Sequence, residues 1–470
     1  MLAIIIATIS AYVAYILGVG VTPGPKYTAL SRWHERYYDV YLGGKFIFWI
    51  EEQHRKYGPV VRIAPDELHF IDADLWETFF TKAGRVDKYD WLSSRFGNDT
   101  SVLATAPDSI HRVRRSALNP LFSRQRILGL QDATRKKLNI LIGRMENARA
   151  IQAPVEIRRG FGAFSEDVIM QYSFGHDYDS LNKEGWTPIL HDSFMGVSIF
   201  GNTALHFPLL PKLMNALPES WIESLDPLYG LIFRMQRDFG QQIREAKAST
   251  ASRGEAKDSQ STVFSELIEG DLPDAEKADR RLRDEAQLAL SVGTFYLLSN
   301  PKVLARLCLE LDEAIPTYDP ANPTANLEWT QLEKLSYLTA VIKEAVRLSY
   351  SITSRNVRLL PKPFQFNEWT IPARTPVSMT IPFLNHDEEI FPNSRSFVPE
   401  RWLGSPRTKN GPPLERYFCE LYLAFASLLR FFDFELFETD NTDIEFVHDF
   451  FVAFPKLDSK GIRVFVRSRK

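Results

Sequence analysis

The chain has 470 residues, 44% of them hydrophobic and 24% charged, and its formal net charge is -3. This composition is typical of a globular protein with enough apolar material for a large core. There is no basic block or Arg/aromatic stripe, so nothing indicates a nucleic-acid partner. Two cysteines cannot form a disulfide framework, which indicates a reducing compartment for the body of the protein.

The N-terminus carries an uncharged apolar run at residues 2–21, about the length that spans a bilayer. A cleaved signal peptide is the competing interpretation, but no basic segment precedes the run, and the run is longer than a usual signal core. The basic residues that follow place that side in the cytosol; they are Lys26, Arg32, Arg36 and Lys45. We therefore predict a transmembrane anchor at 2–21, a proline-rich elbow at 22–27 and a cytosolic body at 28–470.

The body is predicted to be mainly α, with a minor β part near both of its ends. Apolar residues recur three and four apart through most of residues 111–248, and the polar stretch 249–261 indicates an exposed connector. Three further helical patterns follow: EAQLALSVGTFYLL, PKVLARLCLELDEAI and WTQLEKLSYLTAVIKEAVRLSY. The strand patterns are PVVRIAP and ELHFID, which predict a hairpin, and later TPVSMTIP, FDFELFE and GIRVFVRS.

Glu344 and Arg347 lie in the helical pattern VIKEAVRLSY, where residues three apart share one face and can pair. Taken alone, the pair is interpreted as an ordinary surface ion pair of little energetic value. Three other segments accompany it in a fixed order. They are HRVRRSALNPLFS, with His111 and Arg115 four apart; SRNVRL, with Arg355; and FPNSRSFVPERWL, with Arg401.

This ordered set resembles the cytochrome P-450 family of haem-thiolate monooxygenases. The resemblance extends from about residue 23 to 470, and E-x-x-R combined with P-E-R-W in this order is specific. The resemblance is strongest to membrane-anchored fungal members that oxidise terpenes in secondary metabolism. These members are similar to trichodiene oxygenase. The resemblance implies a large domain of the family's fold and a haem b cofactor. It also implies an NADPH-dependent flavoprotein reductase as partner, an apolar, terpenoid-like substrate, and a single-pass position in the endoplasmic reticulum membrane.

The resemblance also implies roles for individual residues. Glu344, Arg347 and Arg401 match a buried hydrogen-bonded cluster that steadies the haem side of the fold, which is tolerable inside because each charge has a partner. Arg355 matches an arginine that contacts a haem propionate, and His111 and Arg115 match the helix that reaches the other propionate. The planar fork of arginine suits a carboxylate. For His111 and Arg115 the alternative is a solvated helix start.

Two family elements are missing from the sequence. The oxygen-activating motif (A/G)-G-x-(D/E)-T-T is absent near residues 287/288, and Thr294 belongs to the segment that follows it. The cysteine loop F-x-x-G-x-R-x-C-x-G is absent near 418/419, where LERYF runs directly into CELYLAF. Cys419 is the one candidate iron ligand, but we interpret it as a small residue of the following helix. Cys308 is interpreted as part of a helix face.

Two hypotheses of different classes remain. The first is a haem monooxygenase whose sequence lacks two blocks through an inaccurate gene model or splice form. The second is a haem-free, membrane-anchored pseudoenzyme with a binding or scaffold role. A zinc enzyme, a serine hydrolase and a nucleotide enzyme lack their motifs here. Four apolar residues are candidates for a substrate roof or equally for core packing: Phe194, Phe200, Phe207 and Leu210.

Overall fold

A computed structural model describes residues 23–80, 84–96, 104–118, 128–218, isolated residues between 221 and 244, 294–315, 322–325, 327–350, 352–404 and 419–469. Helices dominate the described residues. In chain order they are α1 Trp33–Arg36, α2 Phe46–Tyr57, α3 Leu75–Phe80, α4 Asp108–Leu118, α5 Gln131–Ala150, α6 Ile157–Phe174, α7 Ile189–His206, α8 Leu209–Asn215, α9 Pro301–Ala314, α10 Trp329–Leu332, α11 Ser336–Ser349, α12 Ile381–Asn385 and α13 Cys419–Phe431.

The long helices follow from local sequence signals. In α5 the buried residues Leu138, Leu141, Ile142 and Met145 recur three and four apart, so one stripe of the helix faces the core. The side chain of Glu156 caps the start of α6, where it accepts hydrogen bonds from the first free backbone N–H groups. These signals place α5 and α6 side by side in the main core.

The strands are short and form several sheets. They are β1 Val60–Arg62, β2 Leu68–Phe70, β3 Asp87–Lys88, β4 Val155–Glu156, β5 Asn356–Leu359, β6 Phe364–Phe366, β7 Trp369–Ile371, β8 Pro376–Met379, β9 Phe432–Leu436, β10 His448–Phe450, β11 Val452–Phe454 and β12 Arg463–Ser468. The largest sheet has the order β1-β2-β8-β5-β3, and a second has the order β4-β12-β9. The pairs β10-β11 and β6-β7 are separate hairpins.

The main hydrophobic core lies among the helices. It is built from α5, α6, α9, α11 and α13 together with the β4-β12-β9 sheet. The stretch of α13 from Leu421 to Leu429 is buried at every position. A helix that is apolar all round is typical of a core element, so α13 is enclosed by other helices.

The mainly α prediction with a minor β part is confirmed. The hairpin prediction is also correct, because β1 and β2 pair antiparallel with Val60 opposite Phe70. The strands predicted from TPVSMTIP, FDFELFE and GIRVFVRS are present as β8, β9 and β12. The sequence patterns did not indicate the short strands β3 to β7, β10 and β11.

The pattern WTQLEKLSYLTAVIKEAVRLSY was predicted as one helix, and that prediction is wrong. The structure divides it into α10 and α11, and Leu335 between them has an extended backbone. The physical reason is a distant cap. The carboxylate of Glu310 accepts hydrogen bonds from the backbone N–H groups of Tyr337 (2.9 Å) and Leu338 (2.8 Å), which starts a new helix there.

A buried histidine pair joins α2 to the large sheet. His54 Nδ1 lies 2.8 Å from the carbonyl oxygen of Gly58, His54 Nε2 lies 2.7 Å from His69 Nδ1, and His69 Nε2 lies 2.8 Å from Thr380 Oγ1. Because a carbonyl only accepts, His54 Nδ1 must donate to it. Burial lowers the pKa of His54 to about 4 and that of His69 well below its usual value, so both rings are neutral near pH 7. In the neutral pair, His69 Nδ1 donates to His54 Nε2, and the Thr380 hydroxyl donates to His69 Nε2.

Among the described residues, none of the helices combines the length and apolarity needed to cross a membrane. The predicted anchor at 2–21 lies outside the described residues, as do the predicted connector at 249–261 and the junction at 287/288.

Candidate functional site

Glu344 and Arg347 form a buried, bidentate ion pair on α11. Arg347 Nε donates to Glu344 Oε2 at 2.9 Å, and its Nη2 donates to Oε1 at 2.8 Å. Glu344 is fully buried and Arg347 is 4% exposed. The pair is thus not the ordinary surface ion pair that E-x-x-R taken alone would suggest. The helix face that carries it is covered by the segment that contains P-E-R-W, which is the arrangement that the resemblance implies for Glu344, Arg347 and Arg401.

Three further donors complete the coordination of the Glu344 carboxylate. Arg401 Nε donates to Oε1 at 3.1 Å, the backbone N–H of Val398 donates to Oε1 at 2.9 Å, and Trp402 Nε1 donates to Oε2 at 2.8 Å. Arg347 also donates to the carbonyl oxygens of Asn385 and Ser394, at 2.8 and 2.6 Å. The cluster thus fastens residues 385–402 to α11. Sequence reasoning missed Trp402, although it is the last letter of P-E-R-W.

Arg355 follows α11 and is held by two fully buried carboxylates. Its Nε donates to Glu67 Oε1 at 2.6 Å, and its Nη2 donates to Glu35 Oε1 at 2.5 Å. Arg355 itself is 8% exposed, and both carboxylates are completely buried. Its guanidinium also lies over the ring of Phe46, at 5.3 Å from the centroid. In this structure internal acids accept from Nε and Nη2 of Arg355. The propionate contact predicted for Arg355 stays a prediction.

A second arginine binds the same two acids. Arg32 Nη1 donates to Glu35 Oε2 at 2.8 Å and lies 3.3 Å from Glu67 Oε2. Burial alone would raise the pKa of Glu35, but Arg355 and Arg32 outweigh it and hold that pKa well below its usual range. Glu35 is therefore ionised, and the group is a compensated buried ion network that joins α1, the β1-β2 turn and the residue before β5.

His111 and Arg115 lie on α4 and are not in contact with Arg355 in the described structure. His111 is half-buried and Arg115 is exposed. Burial, together with the positive charges of Lys88 and Arg358, lowers the pKa of His111 to about 4. Lys88 and Arg358 are paired residues of β3 and β5. The described residues thus place His111 beside two cations that sequence reasoning did not single out.

The two arginines of SRNVRL therefore have different neighbours. Arg355 bonds to Glu35 and Glu67, whereas Arg358 lies on the side of His111. A cationic surface of this kind suits carboxylate groups. The positive charges near His111 suit a propionate, whereas the carboxylates around Arg355 would repel one.

The chemistry of the available donors decides whether a haem-thiolate centre fits. Cys419 belongs to α13, so its backbone is helical, and residues 405–418 before it lie outside the described residues. Cys308 lies within α9 and is half-buried, and burial raises the pKa of its thiol. A thiolate ligand needs a lowered pKa and a backbone turn that presents it to the metal. Cys308 therefore does not fit a haem thiolate. Cys419 is the first residue of α13, and its interpretation as a small helix residue rather than the iron ligand stays a prediction.

Three of the four apolar residues considered for a substrate roof contact other side chains in the structure. Phe194 packs with the β10-β11 hairpin, and Phe200 packs against Val197 and Ile222. Phe207 is 37% exposed and lies under the guanidinium of Arg36, at 4.8 Å from Cζ to the ring centroid. For Phe194 and Phe200, core packing is therefore the role that the contacts display.

Comparisons with known proteins were made over the whole sequence. Residues 39–415 match the family model described as Cytochrome P450. The cytochrome P450 monooxygenase sdnE of Sordaria araneosa is 37% identical, with 96% of each chain covered. The tryptophan 6-hydroxylase of Fusarium equiseti is 35% identical, over 95% of this chain and 92% of its own. The N-acetyltryptophan 6-hydroxylase of Emericella nidulans is 32% identical, with the same shares covered.

The alignment lengths show that this chain has gaps when compared with a relative. The alignment with the Sordaria protein has 500 positions, more than the 470 residues of this chain. Residues of that relative therefore face gaps in this chain. The family match ends at residue 415, just before Cys419.

Proposed function

The chain belongs to the cytochrome P450 family, and on that premise we propose that it is a monooxygenase of fungal secondary metabolism. In such a reaction one atom of O2 enters an apolar small molecule, here proposed to be terpenoid-like, by hydroxylation or epoxidation. The observation that supports this best is the fully buried Glu344 carboxylate with its five protein donors. A cluster of that kind needs every member in place.

Two of the relatives are named for the hydroxylation of tryptophan or its N-acetyl derivative. An indole-bearing compound is therefore an alternative substrate class. Indole rings and terpenoid skeletons are both apolar, so each suits a mainly apolar pocket. A panel that contains both classes would separate them by product formation.

The proposed organisation follows the sequence. Residues 2–21 would anchor the protein in the endoplasmic reticulum membrane, 22–27 would form the elbow, and 28–470 would lie in the cytosol. There an NADPH-dependent flavoprotein reductase would supply electrons. The uncharged run and the basic residues after it support this orientation. A protease-protection assay on microsomes tests it, since a cytosolic body is digested without detergent and a lumenal one is not.

The family's reaction depends on haem iron held by a cysteine thiolate, which tunes the iron for oxygen chemistry. We interpret Cys419 as a small residue of α13 and Cys308 as part of a helix face, and on that interpretation the proposed activity requires the block missing at 418/419. A second candidate function rests on the same observation. As printed, the 470-residue chain would be a haem-free P450-like protein with at most a binding or scaffold role.

The deciding experiment reads the transcript across the codons of residues 287/288 and 418/419. Recovered coding sequence at both points is the expected result, and it would define a loop-containing form. That form should then incorporate labelled oxygen from isotope-labelled O2 into an apolar substrate when supplied with reductase and NADPH. Uninterrupted junctions in every transcript, with no oxygenated product from any form, would exclude the monooxygenase and leave the haem-free candidate.

A further inference from the structure

Around Arg355, carboxyl groups outnumber guanidinium groups. Two buried guanidinium groups and one of intermediate exposure face four buried carboxyl groups there: Arg95, Arg355 and Arg32, with Glu35, Asp39, Glu67 and Asp449. Arg32 is the least buried of these, with a side chain 15% exposed. No positive charge is left over in this group to receive a further anion.

Two of the three guanidinium nitrogens of Arg355 already donate to acids. Its Nε and Nη2 hydrogens go to Glu67 and Glu35 at 2.6 and 2.5 Å. Nη2 also lies 3.4 Å from the second oxygen of Glu67. Charge-assisted bonds of this length are the strong kind. A carboxylate that took these two donors would have to displace a fully buried acid, and it would repel the acid that remains.

We propose that Glu35 and Glu67 take the place of an anionic cofactor group at Arg355, so that the 470-residue chain reaches this fold without haem. The two glutamates come from α1 and from the residue before β2, and Arg355 comes from the residue before β5. The network therefore closes the N-terminal segment onto the large sheet through internal charges alone. This differs from the propionate contact predicted for Arg355, and it concerns the chain as printed rather than the loop-containing form.

The test uses the purified full chain and follows thermal unfolding by circular dichroism. The proposal predicts a cooperative transition without any haem, and a lower midpoint for Glu67→Gln. The variant Glu52→Gln is the matched control, because Glu52 forms an exposed pair with Lys56 on α2, and its midpoint should not move. A chain that shows no cooperative transition until haemin is added would overturn the proposal.

A second measurement keeps the test decisive if Glu67→Gln does not fold. Quenching of tryptophan fluorescence compares the binding of haemin with that of haemin dimethyl ester, which has no free carboxylates. No saturable quenching, or equal affinity for both probes, supports the proposal. An affinity for haemin that is about tenfold or more above that for the ester, and that is lost in Arg355→Lys, would show that Arg355 holds a propionate and would refute it. Product formation by the loop-containing form is a separate readout, so the two proposals can fail independently.

Discussion

The Glu344→Gln variant should unfold at a clearly lower temperature than the unaltered protein. The amide keeps the shape of the side chain but removes the charge that pairs with Arg347 and Arg401, and it turns an N–H group toward donors. Glu344 is fully buried and accepts five hydrogen bonds. Breaking a buried ion pair by removing one partner destabilises by about 3–5 kcal/mol.

The corresponding shift in unfolding temperature follows from the size of the chain. An unfolding entropy of about 2 cal/mol/K per residue gives roughly 1 kcal/mol per degree for a chain of this length. Glu344→Gln is therefore expected to lower the midpoint by about 3–5 °C in a calorimetric or circular dichroism scan. Glu52→Gln, in an exposed pair on α2, is the control and should leave it unchanged. If the two variants behave alike, the assignment of Glu344 as a buried anchor is refuted.

Trp402→Phe removes one 2.8 Å bond to Glu344 and should lower stability by about 1–2 kcal/mol in urea titration; no change would show that Trp402 does not hold the carboxylate. Burial lowers the pKa of His54 to about 4, and burial lowers that of His69 well below its ordinary value. At acidic pH the unfolded chain therefore binds more protons than the folded one, and the free energy of unfolding should fall as the pH drops below about 6.5 toward 4. His54→Gln should lessen that fall by roughly 2 kcal/mol between pH 7 and 5. Equal pH profiles for the variant and the unaltered protein would refute this expectation. Cys308 should alkylate more slowly than a cysteine peptide at mildly alkaline pH, because burial raises its thiol pKa; faster labelling by mass spectrometry would contradict this.

The sequence predicts those parts of the site that depend on local spacing. Glu344 and Arg347 are three apart on an apolar helix face, so their pairing follows from helix geometry. That the pair is buried depends on Arg401 and Trp402, more than fifty positions later in the chain. Only the joint presence of E-x-x-R and P-E-R-W carried that information, because neither segment indicates burial alone.

The partners of Arg355 illustrate what local sequence does not encode. Glu35 and Glu67 come from positions about three hundred residues earlier, and neither lies in a motif. Their contact with Arg355 arises when β2, β5 and β8 assemble into one sheet. The division between α10 and α11 has a similar origin, because the cap is supplied by Glu310 of another helix. Such contacts are set by the tertiary arrangement and override local propensity.

The placement of its cysteines limits the haem chemistry of this chain more directly than its fold does. Helix α13 begins with Cys419, and the sequence before it lacks the glycine-flanked cysteine motif that the resemblance implies. Among the described residues, the cluster around Glu344 is complete and α13 packs in the main core.

The most direct test of the account is the absorption spectrum of the 470-residue chain after incubation with haemin, reduction and exposure to carbon monoxide. The account predicts that the long-wavelength Soret band of a thiolate-ligated complex is absent, and that it is present in the loop-containing form prepared in the same way. If the 470-residue chain shows that band and Cys419→Ser abolishes it, Cys419 binds the iron and the account is contradicted.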